Sequence, residues 1–225
     1  MRSLRFLIVI AAEVAVLEGP DAEGPVVRFR RGPVCDVVDP GVDVSGSPRG
    51  CGSAPFSPSP RCPAGGFTDE QVSEPSLLSG WTRGHVLTHI ARAAEAHRNL
   101  LETVRTGTDI PAYASQEARD RSIEIGASRP VAGQVADIER TAAAFRAAID
   151  TTPDDAWTTG VTILHLEPFP ASQVVLRKLV ELELHHVDLN AGYRPADWPV
   201  TFKPLELPEP MRSQAVDRIS WFATK

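Results

Sequence analysis

Lysine is nearly absent from this chain of 225 residues: three lysines stand beside 20 arginines and 29 acidic residues, for a net charge of −6. That balance argues against a basic arm that follows a phosphate backbone, so no nucleic-acid partner is expected. With 42% hydrophobic residues the chain is not a disordered acidic tail either. Cysteine is scarce as well. Cys35, Cys51 and Cys62 are odd in number and no two lie two to four residues apart, which disfavours a closed disulfide framework and a zinc knuckle alike. Reduced thiols in a cytoplasmic protein are the simpler expectation. The apolar run Phe6 to Ala12 is far too short to span a bilayer, so no membrane partner is expected. Also missing are a Gly-x-Gly-x-x-Gly after a strand, a Walker loop, His-Glu-x-x-His and Gly-x-Ser-x-Gly.

What is present is unevenly spread. All three cysteines precede residue 67, and all six histidines follow it. Nine of the 20 prolines and nine of the 16 glycines also fall within residues 1–66, a density that forbids long helices or strands. This segment is expected to be an extension without a core of its own. Arg2 and Arg5 ahead of Phe6-Leu7-Ile8-Val9-Ile10 give it a superficial likeness to a secretory signal, which Glu13 interrupts. The alternative is a poorly ordered or non-native extension, of the kind out-of-frame translation of GC-rich coding would produce. Residues 67–192 then form the functional domain and 193–225 a C-terminal segment.

From Phe67 onward the periodicity is helical. Thr82 is a good N-cap, and Val86, Ile90, Ala93, His97, Leu100 and Val104 mark one face of a helix over Arg83 to Arg105. A short helix is expected over Gln116 to Ile125, capped by Ser115 and stopped by Gly126. Val131, Val135, Ile138, Ala142, Phe145 and Ile149 define a second long amphipathic helix behind Pro130. Val161 to Leu166 reads as a short extended stretch, and Ala171 to Leu189 as the third long helix, ended by Asn190 and Gly192. Beyond Tyr193, five prolines leave Ser213 to Thr224 as a short terminal element at most. The fold class is therefore mainly α, a helical bundle. A fourth bundle helix would have to come from upstream of residue 67, where Leu4 to Leu17 is the apolar candidate.

Two of these helices carry ligand-type side chains. Glu181 and His185 are four apart and share a face, within reach of one metal ion, and Asp188 follows three residues on as a partner for a ligand's free ring N–H. His85 and His89 are likewise four apart on the first long helix. Each pair by itself is ordinary for a solvated or hydrogen-bonded helix surface. Together, one histidine from the first helix plus Glu181 and His185 would give two imidazoles and a carboxylate with a coordination position left open, the pattern of a catalytic zinc. His186 points to the apolar stripe and is expected to be a hydrogen-bonded core residue; His97 and His165 receive no role.

The string Leu78-Ser79-Gly80-Trp81-Thr82-Arg83-Gly84-His85-Val86-Leu87-Thr88-His89-Ile90-Ala91-Arg92 resembles the N-terminal motif of the mycothiol-dependent maleylpyruvate isomerases, which belong to the DinB-like metal-binding four-helix bundles. Glu181-Leu182-Glu183-Leu184-His185-His186-Val187-Asp188-Leu189 resembles their second metal motif, and the likeness runs over about residues 67–202. The resemblance implies His89, Glu181 and His185 as ligands of Zn2+ or another divalent metal, with His85 beside the site. It also implies mycothiol as thiol cosubstrate, adding to the double bond of maleylpyruvate so that rotation and elimination give fumarylpyruvate; related bundles transfer small thiols to electrophiles.

The chain departs from the family pattern in three places. The first bundle helix is not visible before Phe67, Ala93 stands where asparagine is usual, and the C-terminal α/β domain is expected to be truncated after about Phe202, with its catalytic arginine not matched to Arg212 or Arg218. Catalytic residues therefore stay unassigned. The expected function is a metal-dependent, mycothiol-using isomerase or thiol transferase. The alternatives are a metal-binding bundle paralogue without isomerase activity and a helical interaction module, and an incomplete bundle would be expected to form a homodimer or to be unstable.

Overall fold

The structure, a computed structural model, describes residues 67–199 and 202–224. The expectations for residues 1–66, including the helix over Leu4 to Leu17, lie outside these. A single turn, α1 (Asp69–Val72), leads to the central helix α2 (Arg83–Thr106). Thr82 caps α2 as its sequence predicts: its side chain accepts the His85 N–H, and the His85 ring accepts the Thr82 N–H in return. Gly107 closes the helix at φ 70°, a left-handed position that suits glycine.

Around α2 pack α3 (Gln116–Ala127), α4 (Val131–Thr151) and α5 (Gln173–Asp188). One core joins Leu100, Leu101, Phe145, Ile149, Val174 and Val175; another joins Val86, Leu87, Ile90, Ile138, Leu182 and Leu189. The three long helices thus stand where periodicity placed them. Gly126 does not stop α3 but lies inside it, because α3 crosses α2 at very close range. A Cβ on Gly126 would fall 2.4 Å from Thr88 Cγ2, and one on Gly84 would fall 1.9 Å from the Ala127 carbonyl oxygen.

The buried face of α4 is rotated from the apolar stripe. Gln134 and Thr141 are fully buried, whereas Val135 and Ala142 are half-buried. Polar side chains can take these places because their hydrogen bonds are made: Gln134 donates to the Gly126 carbonyl at 2.8 Å and accepts from Thr88 at 3.1 Å, and Thr141 donates to the Asp137 carbonyl.

The stretch expected to be extended over Val161 to Leu166 is mostly a loop. Only β1 (Gly160–Val161) and β2 (Phe169–Pro170) pair, antiparallel, and between them Leu164 takes a left-handed φ of 50°. That backbone turns the chain back toward the bundle, a conformation incompatible with a continuing strand. After Asn190, 3-10 turns lead to α6 (Met211–Ala223), a helix of 13 residues. Phe202, Leu207, Met211 and Ala215 pack on Val180 and Leu184, so this last segment is fastened to the outer side of α5. Among the described residues no helix is long and apolar enough to cross a membrane.

Candidate metal centre

Packing of Ile90 against Leu182 sets α2 beside α5 and brings His89 opposite Glu181. Glu181 Oε2 lies 3.0 Å from His89 Nε2 and 3.3 Å from His185 Nε2, so both imidazoles converge on one carboxylate oxygen. The two rings stand perpendicular with centroids 4.6 Å apart. One donor atom from each of the three residues can be chosen such that all lie within 4.8 Å of one another, the one such group of metal-ligand side chains among the described residues.

The surroundings fix the rings. His185 donates its Nδ1–H to Asp188 at 2.9 Å, which leaves Nε2 facing Glu181. His89 meets Arg119 at its other nitrogen, with Nη2 3.3 Å from Nδ1, and the edge of Trp81 at 5.6 Å between centroids. In that arrangement Arg119 donates to Nδ1 while Nε2–H donates to Glu181; for the neutral ring to offer Nε2 to a cation, its hydrogen would have to sit on Nδ1 and the Arg119 contact would have to give way.

Burial pushes the pKa of His89 down to about 4, which keeps its ring neutral and able to coordinate. Burial also works against charge on Glu181, but hydrogen bonds from His185 and His89 outweigh it and hold the carboxylate well below its usual range. His185 is raised because the carboxylates of Asp188 and Glu181 overcome its desolvation. A neutral imidazole, a firmly ionised carboxylate and a second imidazole anchored from behind suit a divalent cation of the zinc type.

A cavity of about 440 Å³ opens beside the cluster, lined by His89, Glu181, His97, Tyr113, Arg119 and Arg177. Ile163 to Leu166, the turn between β1 and β2, closes one side, and Met211 and Gln214 of α6 another. Glu181 is the one carboxylate among these lining residues. Burial and the Glu181 charge raise the Tyr113 phenol to about 12, so it stays a hydroxyl at neutral pH.

Of the residues singled out in the sequence, His89, Glu181, His185 and Asp188 are therefore brought together. His85 is one ring removed: its Nδ1 faces Thr82, its Nε2 pairs with Glu124 at 3.0 Å, and it reaches the cluster through Trp81, on which it stacks. His186 is buried and stacked on Tyr193, with centroids 3.7 Å apart. His97 and His165, given no role in the sequence, both line the cavity. So do Arg119 and Arg177. Arg177 had a readable signal, since it stands four residues before Glu181 and shares its helix face.

Residues 64–190 match the family of the mycothiol maleylpyruvate isomerase N-terminal domain. The chain belongs to that family. Among solved structures it is similar to the mycothiol-dependent maleylpyruvate isomerase, at 33% identity and a TM-score of 0.57, over 59% of this chain and 55% of that one. A histidine-to-alanine variant of that isomerase gives 32% identity with the same TM-score and coverage. The chain thus spans slightly more than half the length of these structures. It matches no curated protein. The DinB-like helical bundle expected from the two motifs is the fold of this maleylpyruvate isomerase family member, and its cavity is lined by one residue from each of the two strings singled out in the sequence, His89 and Glu181. Of the two C-terminal arginines, Arg218 binds Asp188 and Arg212 pairs with Glu209.

Proposed function

We propose that this protein is a divalent-metal-dependent enzyme that uses mycothiol, isomerising maleylpyruvate to fumarylpyruvate or transferring a small thiol to a related electrophile. The observation that carries the reading is the convergence of His89 and His185 on Glu181 at the edge of the cavity. It is supported by membership of the maleylpyruvate isomerase family and by the solved isomerase structures the chain resembles.

Bound by these three side chains, a divalent cation, zinc by its donor set, would act as a Lewis acid that keeps a thiol deprotonated at neutral pH. The chain's own residues supply the rest. Asp188 holds the His185 ring in one tautomer, and Trp81 and Arg119 confine His89. Arg119 and Arg177 make the cavity attractive to the carboxylates of an acidic substrate, and the β1–β2 turn forms one of its walls.

Metal analysis of the purified full chain, followed by an absorbance assay of maleylpyruvate with mycothiol, tests this. About one zinc per chain, lost in His89→Ala together with turnover, is the expected result. A chain that takes up no metal on titration overturns it. A zinc-loaded chain with no turnover of maleylpyruvate leaves the second reading, a metal-binding paralogue without isomerase activity.

A further inference from the structure

Four buried side-chain nitrogens have no hydrogen-bond partner among the described residues: Arg92 Nε, His97 Nε2, Arg98 Nε and Arg177 Nε. Two of these, from His97 and Arg177, belong to the walls of the cavity beside the metal cluster. His97 is 4% exposed, and its Nδ1 lies 2.6 Å from the Ala93 carbonyl. A carbonyl only accepts, so Nδ1 carries the hydrogen and the neutral ring presents a bare lone pair at Nε2. Burial and the Lys178 charge keep the ring neutral. An acceptor buried without a donor is unfavourable unless something completes it.

Arg177 offers the complementary half. Its guanidinium lies 3.8 Å over the Phe169 ring and reaches Gln173 at 3.4 Å, and no carboxylate pairs with it among the described residues. Both side chains line the same cavity, so the donor and the acceptor face one bound molecule's space. Ala93, one turn from both His89 and His97, lines the same wall with a side chain too small to fill it.

We propose that His97 and Arg177 form a ligand-anchoring subsite in the cavity wall, beyond the metal cluster. There His97 Nε2 accepts an N–H or O–H from the bound molecule, and Arg177 donates to an oxygen beside it. The ligand class is a polar group with adjacent donor and acceptor, an amide or an enolised or hydroxylated carboxylate. The thiol cosubstrate and the oxo-acid substrate are its two sources, which rests on the function proposed above.

The test uses the zinc-loaded full chain, with mycothiol and maleylpyruvate titrated separately by calorimetry. His97→Leu is expected to weaken one of the two by about tenfold or more, some 1.4 kcal/mol, at unchanged zinc content. His97→Gln, which keeps an acceptor, is expected to restore most of it, and the ligand affected identifies the source. The nitrogen-15 signal of His97 Nε2 in the wild-type chain should move toward the hydrogen-bonded position when that ligand is added, a readout that needs neither turnover nor a stable variant. Unchanged affinity for both ligands in His97→Leu, or an unmoved His97 signal at saturation, overturns the subsite. Turnover with an unmoved signal overturns the subsite alone, whereas a moved signal without turnover of maleylpyruvate overturns the isomerase reading alone.

Discussion

Asp188 binds Arg218 through both carboxylate oxygens, at 3.2 and 2.8 Å, while its Oδ2 also accepts the Nδ1–H of His185. A residue from the last helix is thereby connected to a candidate metal ligand. The carboxylate is almost fully buried, and the His185 and Arg218 hydrogen bonds overcome its desolvation and keep it ionised. This is the arrangement that raises the basicity of a ligating imidazole and fixes its tautomer.

Replacing Asp188 by Asn should weaken zinc binding by about 10- to 100-fold, measured by competition with a chelator. The amide can still accept from His185, but its NH2 then confronts the Arg218 guanidinium, so the pair cannot be satisfied together. Arg218→Gln keeps the His185 contact and should cost less than tenfold. A zinc affinity within twofold of wild type in Asp188→Asn would contradict the coupling.

How far the sequence reached depends on what kind of information each feature carries. Helix faces repeat locally, so Ile90, Phe145 and Leu182 could be assigned to the core from spacing, and Glu181, His185 and Asp188 to one face. The choice of His89 over His85 came from the motif, since both share a helix face and only packing sends His85 to Glu124. Gly126 misled because a glycine that ends a helix and one that admits a neighbouring helix look alike in sequence. The burial of Gln134 carried no signal in the sequence because its partners, Gly126 and Thr88, meet it only across the packed helices. The cavity was invisible for the same reason: Arg119, Arg177 and the turn at Leu164 meet only once the helices are packed.

Asp137 should prove the main electrostatic support of α4. Its carboxylate takes Arg92, Arg129 and Arg140 at 2.6 to 2.7 Å, and these contacts outweigh its desolvation, holding its pKa low. Asp137→Ala leaves three guanidinium groups facing one another, one of them largely buried. A loss of about 2 kcal/mol is expected, discounted for the exposure of Arg129 and Arg140, or a fall in Tm of roughly 4–8 °C. Arg140→Ala, removing the most exposed partner, should cost less than about 1 kcal/mol in the same melt. Equal effects of the two substitutions would contradict a buried hub.

The two glycines at the α2–α3 crossing should differ in how they can be rescued. At Gly126 the obstacle is the Thr88 side chain, whereas at Gly84 it is the Ala127 backbone carbonyl. Both Ala substitutions should destabilise by about 1–3 kcal/mol or more. Thr88→Ala should recover part of the Gly126→Ala loss, because it removes the two closest atoms, although it also forfeits the Gln134 hydrogen bond. No side-chain change at Ala127 should recover Gly84→Ala. Thermal melts of the double variants check this, and equal rescue at both sites would refute the close-approach explanation.

Lys178 should make stability depend on alkaline pH. It is 2% exposed, its Nζ donates to the Ile90 carbonyl at 2.8 Å, and burial lowers its pKa from 10.5 to about 8. Between those values the unfolded chain holds a proton that the folded chain has released, so stability rises as pH rises through this window and is lost as pH falls through 8. The full swing is about 3 kcal/mol, from roughly 1.4 kcal/mol per pKa unit. Lys178→Met fills a similar volume, and the Ile90 carbonyl lies within α2, where its helical hydrogen bond remains. The variant should therefore be at least as stable as wild type at pH 7, and wild type should gain on it by about 3 kcal/mol between pH 7 and pH 10.5. Urea unfolding of both proteins across that range measures the difference, in which other titrating groups cancel. Parallel pH profiles would mean that Lys178 keeps its ordinary pKa in the folded protein, with its charge solvated or paired in a way the Ile90 contact does not provide.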